Sequence, residues 1–171
     1  EQVNPAFTQL TGYTLDEARR FANDGCWEVQ VPGKTNFIYV PFDALALLQD
    51  VLGLNDASQP VPDYADFEAL YAAFLVRLQQ HLDWFNGVAD NHATQGPPCA
   101  LISLFTQDCI ERGRGYCDRG AHYNVMAPHA GGMANVANSL HAIQQLVYEQ
   151  RYLTLAEYVQ ILRDDWKGQE G

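Results

Sequence analysis

The sequence has no apolar run approaching the ~18 residues that a membrane-spanning helix needs. It has no basic-then-apolar start of the kind that marks a secretory leader. It begins with Glu1 rather than Met, as removal of a leading segment would leave it. Basic residues are scarce, with 10 Lys and Arg against 21 Asp and Glu. The resulting net charge of −11 argues against nucleic acid or an anionic membrane surface as partner. It gives no positive sign of an acidic role. No histidine precedes His81, and His81, His92, His122, His129 and His141 form no His-x-x-x-His pair. Cys26, Cys99, Cys109 and Cys117 do not follow a zinc spacing. No metal site is therefore expected. Gly113, Gly115, Gly120, Gly131 and Gly132 lack the Gly-x-x-x-x-Gly-Lys-Ser/Thr order, so a nucleotide site is not expected either. Repeats, charge runs and low-complexity segments are absent, and no domain boundary shows.

What is present suits one domain with a sizeable core, residues 1–171: 47% of the residues are hydrophobic and 18% charged. A chain of this size does not need disulfides to fold, so the cysteines read as reduced thiols in a cytoplasmic setting. Thr14-Leu15-Asp16-Glu17 is a capping box and predicts a helix to about Asn23. Residues 26–40 read as two extended pieces about the Pro32-Gly33 turn, a finger with Cys26 near its start. A helix is expected from Pro41 to Leu52, ended by Gly53. The period of Phe67, Leu70, Tyr71, Phe74, Leu75, Leu78, Leu82 and Phe85 predicts a helix from Asp66 to Phe85, closed by Gly87. After a polar loop, Pro97-Pro98 opens a helix through Leu101, Leu104, Phe105 and Ile110 to Gly113. Ala121 to Met126 reads as a short strand. Met133, Val136, Ala137, Leu140, Ile143 and Val147 share a helical face. A second capping box, Thr154 to Glu157, opens a last helix extending to Trp166.

The most chemically suggestive stretch is Asp24-Gly25-Cys26-Trp27-Glu28. In an extended segment residues i and i+2 share a face, which sets the Cys26 thiol beside the Glu28 carboxylate and turns Trp27 away. Gly25 lets the backbone turn sharply before the thiol. Cysteine is usually a small buried hydrophobe and glutamate usually a solvated surface group, so each gains its case from the other. Cys99, Cys109 and Cys117 read as structural.

Gly25-Cys26-Trp27-Glu28, with Val31-Pro32-Gly33-Lys34 after it, resembles the cysteine loop of the glycyl radical enzymes, the family of pyruvate formate-lyase. The resemblance continues, in order, through Asp108-Cys109-Ile110-Glu111-Arg112-Gly113, Gly120-Ala121-His122-Tyr123-Asn124 and Asn138-Ser139-Leu140-His141-Ala142-Ile143. It implies an α/β fold: a helix-rich fragment of a ten-stranded barrel with a cysteine-loop finger reaching to its centre. It implies that Cys26 carries the transient thiyl radical and Glu28 the acid–base work. By the same resemblance, Gly25, Tyr123 and Asn124 hold the loop backbone. Tyr39 is a candidate for lining the substrate pocket, against ordinary sheet packing.

The Gly-Cys-x-Glu pattern is similar to that of the eliminases and dehydratases, which break C–O, C–N or C–S bonds in small polar metabolites. Pyruvate formate-lyase itself has paired cysteines here, whereas arylacetate decarboxylases share a related Cys-x-Glu. The family's radical-bearing Arg-Val-x-Gly-Tyr run is absent from these 171 residues. The glycyl radical would then come from a loop outside this sequence, installed by a radical S-adenosylmethionine activase. No cofactor is expected to bind the chain directly. The expected partners are a small-molecule substrate, the activase, the remainder of the enzyme and a second copy in a homodimer. The competing readings are a non-catalytic helical interaction module, a degenerate relative, and a thiol nucleophile lacking a nearby histidine base.

Overall fold

The computed structural model describes residues 5–23, 29–92 and 98–168, excepting the side chains at 5–7, 23 and 88–92. The chain divides into two compact units, residues 1–39 with 87–127 and residues 40–86 with 128–171.

In the first unit, helix α1 spans Pro5–Thr11 and α2 spans Leu15–Ala18. The predicted capping box opens α2: the Thr14 side chain accepts from the Glu17 N–H, and the Glu17 carboxylate accepts from the Thr14 N–H. The helix lasts one turn instead of reaching Asn23. Ala22–Asn23 instead form strand β1, antiparallel to β2 at Val29–Gln30, with Ala22 opposite Gln30 and Asn23 opposite Val29. Tertiary strand pairing overrides the helical tendency of this short segment.

The Pro32-Gly33 turn forms as expected. The Lys34 N–H donates to the Val31 carbonyl over 3.0 Å, and Gly33 takes the φ of +75° that a Pro-Gly turn of type II requires. The segments on either side of the turn do not pair with each other. β3, Thr35–Asp43, pairs with β4, Tyr123–Gly131, while β2 pairs with β1. The pairing expected across Pro32-Gly33 is not formed among the described residues; β2 pairs instead with β1, which precedes segment 24–28. The Thr35 hydroxyl accepts from the Val31 N–H at 3.0 Å, and the Tyr123 N–H donates to the Lys34 carbonyl at 2.9 Å. The first bond closes the turn on itself, together with the Thr35 N–H donating to the Val31 carbonyl at 3.1 Å, and the second joins the turn to the start of β4. β4 is longer than the predicted Ala121–Met126 strand.

The helix expected to run to Gly113 is two short ones, α5 at Ala100–Leu104 and α6 at Cys109–Arg112. Asp108, with φ +74°, breaks the path between them, and Gly113 closes α6 in the left-handed conformation at φ +60°. Leu101, Leu104, Phe105 and Ile110 are all exposed, and Cys109 is buried in their stead. A 3₁₀ turn follows at Tyr116–Asp118.

The second unit holds the hydrophobic core. α3 runs Ala44–Val51, later than the predicted Pro41 start, because β3 continues through Pro41 and the Asp43 side chain caps the helix by accepting from the Leu45 N–H at 2.9 Å. α4, Phe67–His92, passes through Gly87 rather than stopping there. One interior glycine costs only about 1 kcal/mol, too little to end a helix of this length. α7, Met133–Ile143, runs into a π-helical turn at Gln144–Glu149, and α8 spans Leu155–Arg163 behind the second predicted capping box. Trp166 lies beyond α8 with φ +59°. Leu47 and Leu48 of α3, Leu70 and Phe74 of α4, Val136, Leu140 and Ile143 of α7, and Val159 of α8 pack into one cluster. Each such side chain contributes roughly 1.5–3 kcal/mol on burial. No helix among the described residues is long and apolar enough to cross a membrane.

Candidate active site

Gly25, Cys26 and Glu28 lie outside the described residues, but both strands that bracket them are in place. β1 ends at Asn23 and β2 begins at Val29, and the ladder between them ties the two ends of segment 24–28 together.

A buried carboxylate sits where the chain enters and leaves this hairpin. Glu17, in α2 just before β1, is only 5% exposed. Its oxygens accept from Lys34 Nζ at 2.6 Å, the Thr14 N–H at 2.8 Å, the Thr14 hydroxyl at 2.9 Å and the Tyr123 hydroxyl at 2.9 Å. Lys34 follows the turn after β2, and Tyr123 opens β4. One side chain therefore joins the strand-bearing segment on both sides to a third element. The Lys34 ammonium, followed by the Thr14 N–H, holds the Glu17 carboxyl down at about 2. Burial, then the hydrogen bond to the Glu17 anion, pushes the Tyr123 hydroxyl up to about 12.

The network extends outward from Tyr123. Its ring meets Tyr13 edge-on at 4.7 Å and His122 at 4.5 Å between centroids. His122 Nδ1 lies 2.7 Å from Asp108 Oδ2. Asp108 also accepts from Arg112 at 2.9 Å, and Arg112 donates to the Ala121 carbonyl at 2.8 Å. The hydrogen bond to His122 is the main cause holding the Asp108 carboxyl below its ordinary value.

Asn124 donates to the Ala121 carbonyl at 2.8 Å and accepts from Asn36 at 3.5 Å. Asn36, on β3, donates to the Tyr116 carbonyl at 3.0 Å. Tyr123 and Asn124 thus bond to backbone and to buried polar groups. Tyr39 is 38% exposed on β3, with its ring tilted against Phe37 at 5.0 Å. Glu17 and Tyr116 fall outside the motifs that carry the family resemblance, and Lys34 and Asp108 lie within those motifs without a role assigned to them there. Glu17 shows in the sequence only as a helix cap, and its burial depends on Lys34 and Tyr123, which are remote in sequence.

The chain matches the pyruvate formate lyase-like family model over residues 1–171 and belongs to that family. It is 30% identical to a (2S)-3-sulfopropanediol dehydratase of Klebsiella oxytoca over 93% of this chain and 21% of the relative. It is 26% identical to a trans-4-hydroxy-L-proline dehydratase of Clostridioides difficile over 93% of this chain and 22% of the relative. The structure resembles that of a protein of 1,2-propanediol dehydration in Roseburia inulinivorans, with TM-score 0.79 and 29% identity over 98% of this chain and 22% of the other. The chain spans about a fifth of the length of the curated relatives it matches.

Proposed function

We propose that this chain is the cysteine-loop region of a glycyl radical lyase or dehydratase that breaks a C–O, C–N or C–S bond in a small polar metabolite. The observation that carries the reading is the clamped hairpin. Gly25-Cys26-Trp27-Glu28 falls between two paired strands whose flanks are locked by Glu17, Lys34 and Tyr123, in a chain whose family and named relatives include dehydratases. Rigid support is what a thiol and a carboxylate need to meet one substrate in fixed geometry.

In this reading the Cys26 sulfur, as a thiyl radical, takes a hydrogen atom from the substrate carbon and becomes a thiol. Glu28 moves a proton at the reacting centre. The hydrogen atom returns from the thiol to the product radical, which regenerates the thiyl. The glycine radical that starts this exchange is supplied by a loop outside the chain and installed by a radical S-adenosylmethionine activase. Residues 1–171 form part of a ten-stranded barrel domain, with the Cys26 segment reaching toward its centre. The complete protein works in the cytoplasm, as a homodimer.

The test is to extend the reading frame that encodes this chain and to activate the full product without oxygen. Electron paramagnetic resonance then looks for the glycyl signal, and turnover is assayed on diols, hydroxyproline and sulfonates. The expected result is a glycyl signal in the native protein and in Cys26→Ala, with turnover only in the native protein. A frame with no radical loop in it or beside it overturns the reading. So does unchanged turnover in Cys26→Ala.

A further inference from the structure

The first unit contains a second thiol arrangement, apart from Cys26. Cys99 caps α5, and Cys117 sits in the 3₁₀ turn Tyr116–Asp118. Their sulfurs are 3.6 Å apart, in contact, and both residues are half-buried. A single hydroxyl fixes the two backbones relative to each other. Ser103 Oγ donates to the Cys99 carbonyl at 2.7 Å and accepts from the Tyr116 N–H at 2.9 Å. The turn is held further by β3, through Asn36 Nδ2 to the Tyr116 carbonyl at 3.0 Å and the Phe37 N–H to the Tyr116 hydroxyl at 3.3 Å.

We infer that Cys99 and Cys117 form an oxidisable dithiol, which a low-molecular-weight disulfide such as oxidised glutathione converts to an intramolecular disulfide. One thiolate attacks the sulfur–sulfur bond of the oxidant, forms a mixed disulfide and expels one glutathione thiolate. The other protein thiolate attacks the protein sulfur of that mixed disulfide, closes the Cys99–Cys117 bond and expels the second glutathione. The protein loses two electrons and two thiol protons, and the oxidant gains them as two glutathione thiols.

Contact and backbone fixation favour the second step over release of the mixed disulfide, since the resolving sulfur is already in place. Burial first, and then Cys99 beside it, pushes the Cys117 thiol up, so the site disfavours a lasting thiolate. A neutral disulfide suits the same surroundings. The bond would staple the start of α5 to the turn that supports β3, within the unit that carries segment 24–28. Cys109 takes no part, being 2% exposed and buried on its own helix.

The experiment equilibrates the native protein, purified without air, in buffers of reduced and oxidised glutathione, then traps thiols with iodoacetamide and maps tryptic peptides. The expected product links the peptide ending at Arg112 to the peptide Gly115–Arg119. Fragmentation must assign the bond to Cys99 rather than Cys109, since both lie between Arg77 and Arg112. Cys117→Ser should yield glutathione on Cys99 in place of the link. Ser103→Ala should lower the equilibrium constant for closure by about tenfold, as the lost tether lowers the effective concentration of one thiol at the other. Persistence of both thiols in oxidised glutathione overturns the inference. So does a pair of mixed disulfides without a link, or a bond that uses Cys109 or Cys26.

Discussion

The Tyr123 hydroxyl donates to the Glu17 carboxylate at 2.9 Å, joining residues 106 apart in sequence. The carboxyl is held at about 2 and the hydroxyl at about 12, so the two groups stay in complementary protonation states across the whole range between. The bond couples the segment leading into the β1–β2 hairpin to the first residue of β4, and its removal should be felt at both ends of the pH scale.

At the acid end, the Glu17 pKa is lower in the folded protein than its ordinary value of 4.5. Its contribution to stability is fully present above 4.5 and is lost as the pH falls toward about 2. At the alkaline end, the Tyr123 pKa is raised above its ordinary value of 10. Its neutral form is favoured by folding, so its contribution is full below 10 and is lost as the pH rises toward about 12. Glu17→Gln should flatten the acid limb of a urea-denaturation series, and Tyr123→Phe the alkaline limb. Near neutrality we expect Tyr123→Phe to cost about 1–2 kcal/mol and Glu17→Gln about 3 kcal/mol, because the latter leaves the Lys34 ammonium poorly paired. Equal acid limbs in native protein and Glu17→Gln would remove Glu17 from this role.

Two glycines of the polar stretch before β4 should behave differently. A Cβ on Gly120 would stand 2.0 Å from the Arg114 carbonyl oxygen and 2.8 Å from that of Gly115. Both obstacles are backbone, so Gly120→Ala must move the chain next to Ala121 and Tyr123. Its expected cost is at least about 3 kcal/mol. Gly113, with φ +60°, has nothing within 4 Å of the same point. There Gly113→Ala meets only the left-handed backbone penalty of about 1 kcal/mol. Thermal unfolding of the two variants distinguishes a packing glycine from a conformational one.

How far the sequence disclosed this arrangement depends on how local each signal is. Thr14 with Glu17 and Thr154 with Glu157 are complete within four residues, and both capping boxes formed. The repeat from Phe67 to Phe85 identified α4, but Gly87 sits inside the helix with open space where a side chain would stand, and one glycine did not end it. Pairing of Ala22–Asn23 with Val29–Gln30 left no alternating pattern, since two residues a strand are too few to show one. Pro41 stood as well in a strand end as in a first helical turn, and only Asp43 as cap decided between them. Nothing in the spacing of Cys99 and Cys117 announces their contact, which depends on Ser103 and the turn at Tyr116. The apolar pattern of Leu101 to Ile110 was legible, but what it packs against was not.

Leu48 tests the second unit by itself. It is fully buried among Leu47, Leu52, Leu70 and Ile143 of the common cluster. Leu48→Ala removes three carbons from this packing and should cost about 2–5 kcal/mol, according to how far the neighbours collapse into the space. Segment 24–28 belongs to the other unit. A fall in the denaturation midpoint with unchanged accessibility of the Cys26 thiol at low denaturant would show that the two units report separately.

The surface of α5 and α6 offers the sharpest test of whether more protein packs here. Leu101 is 71%, Phe105 76% and Ile110 64% exposed, although all three are large apolar side chains. An apolar face of this kind on a chain that spans about a fifth of its relatives is what a cut through a larger core would leave. In the isolated 171-residue chain, Phe105→Asp should change the unfolding free energy by no more than about 0.5 kcal/mol, as for any surface substitution. It should also reduce binding of a hydrophobic dye. In the complete protein the same substitution would bury an unpaired carboxylate and should destabilise by about 3 kcal/mol or more. Comparing the two denaturation curves decides the matter. A large effect only in the complete protein shows that α5 docks against the remaining chain, whereas a negligible effect in both shows that the face stays exposed to solvent.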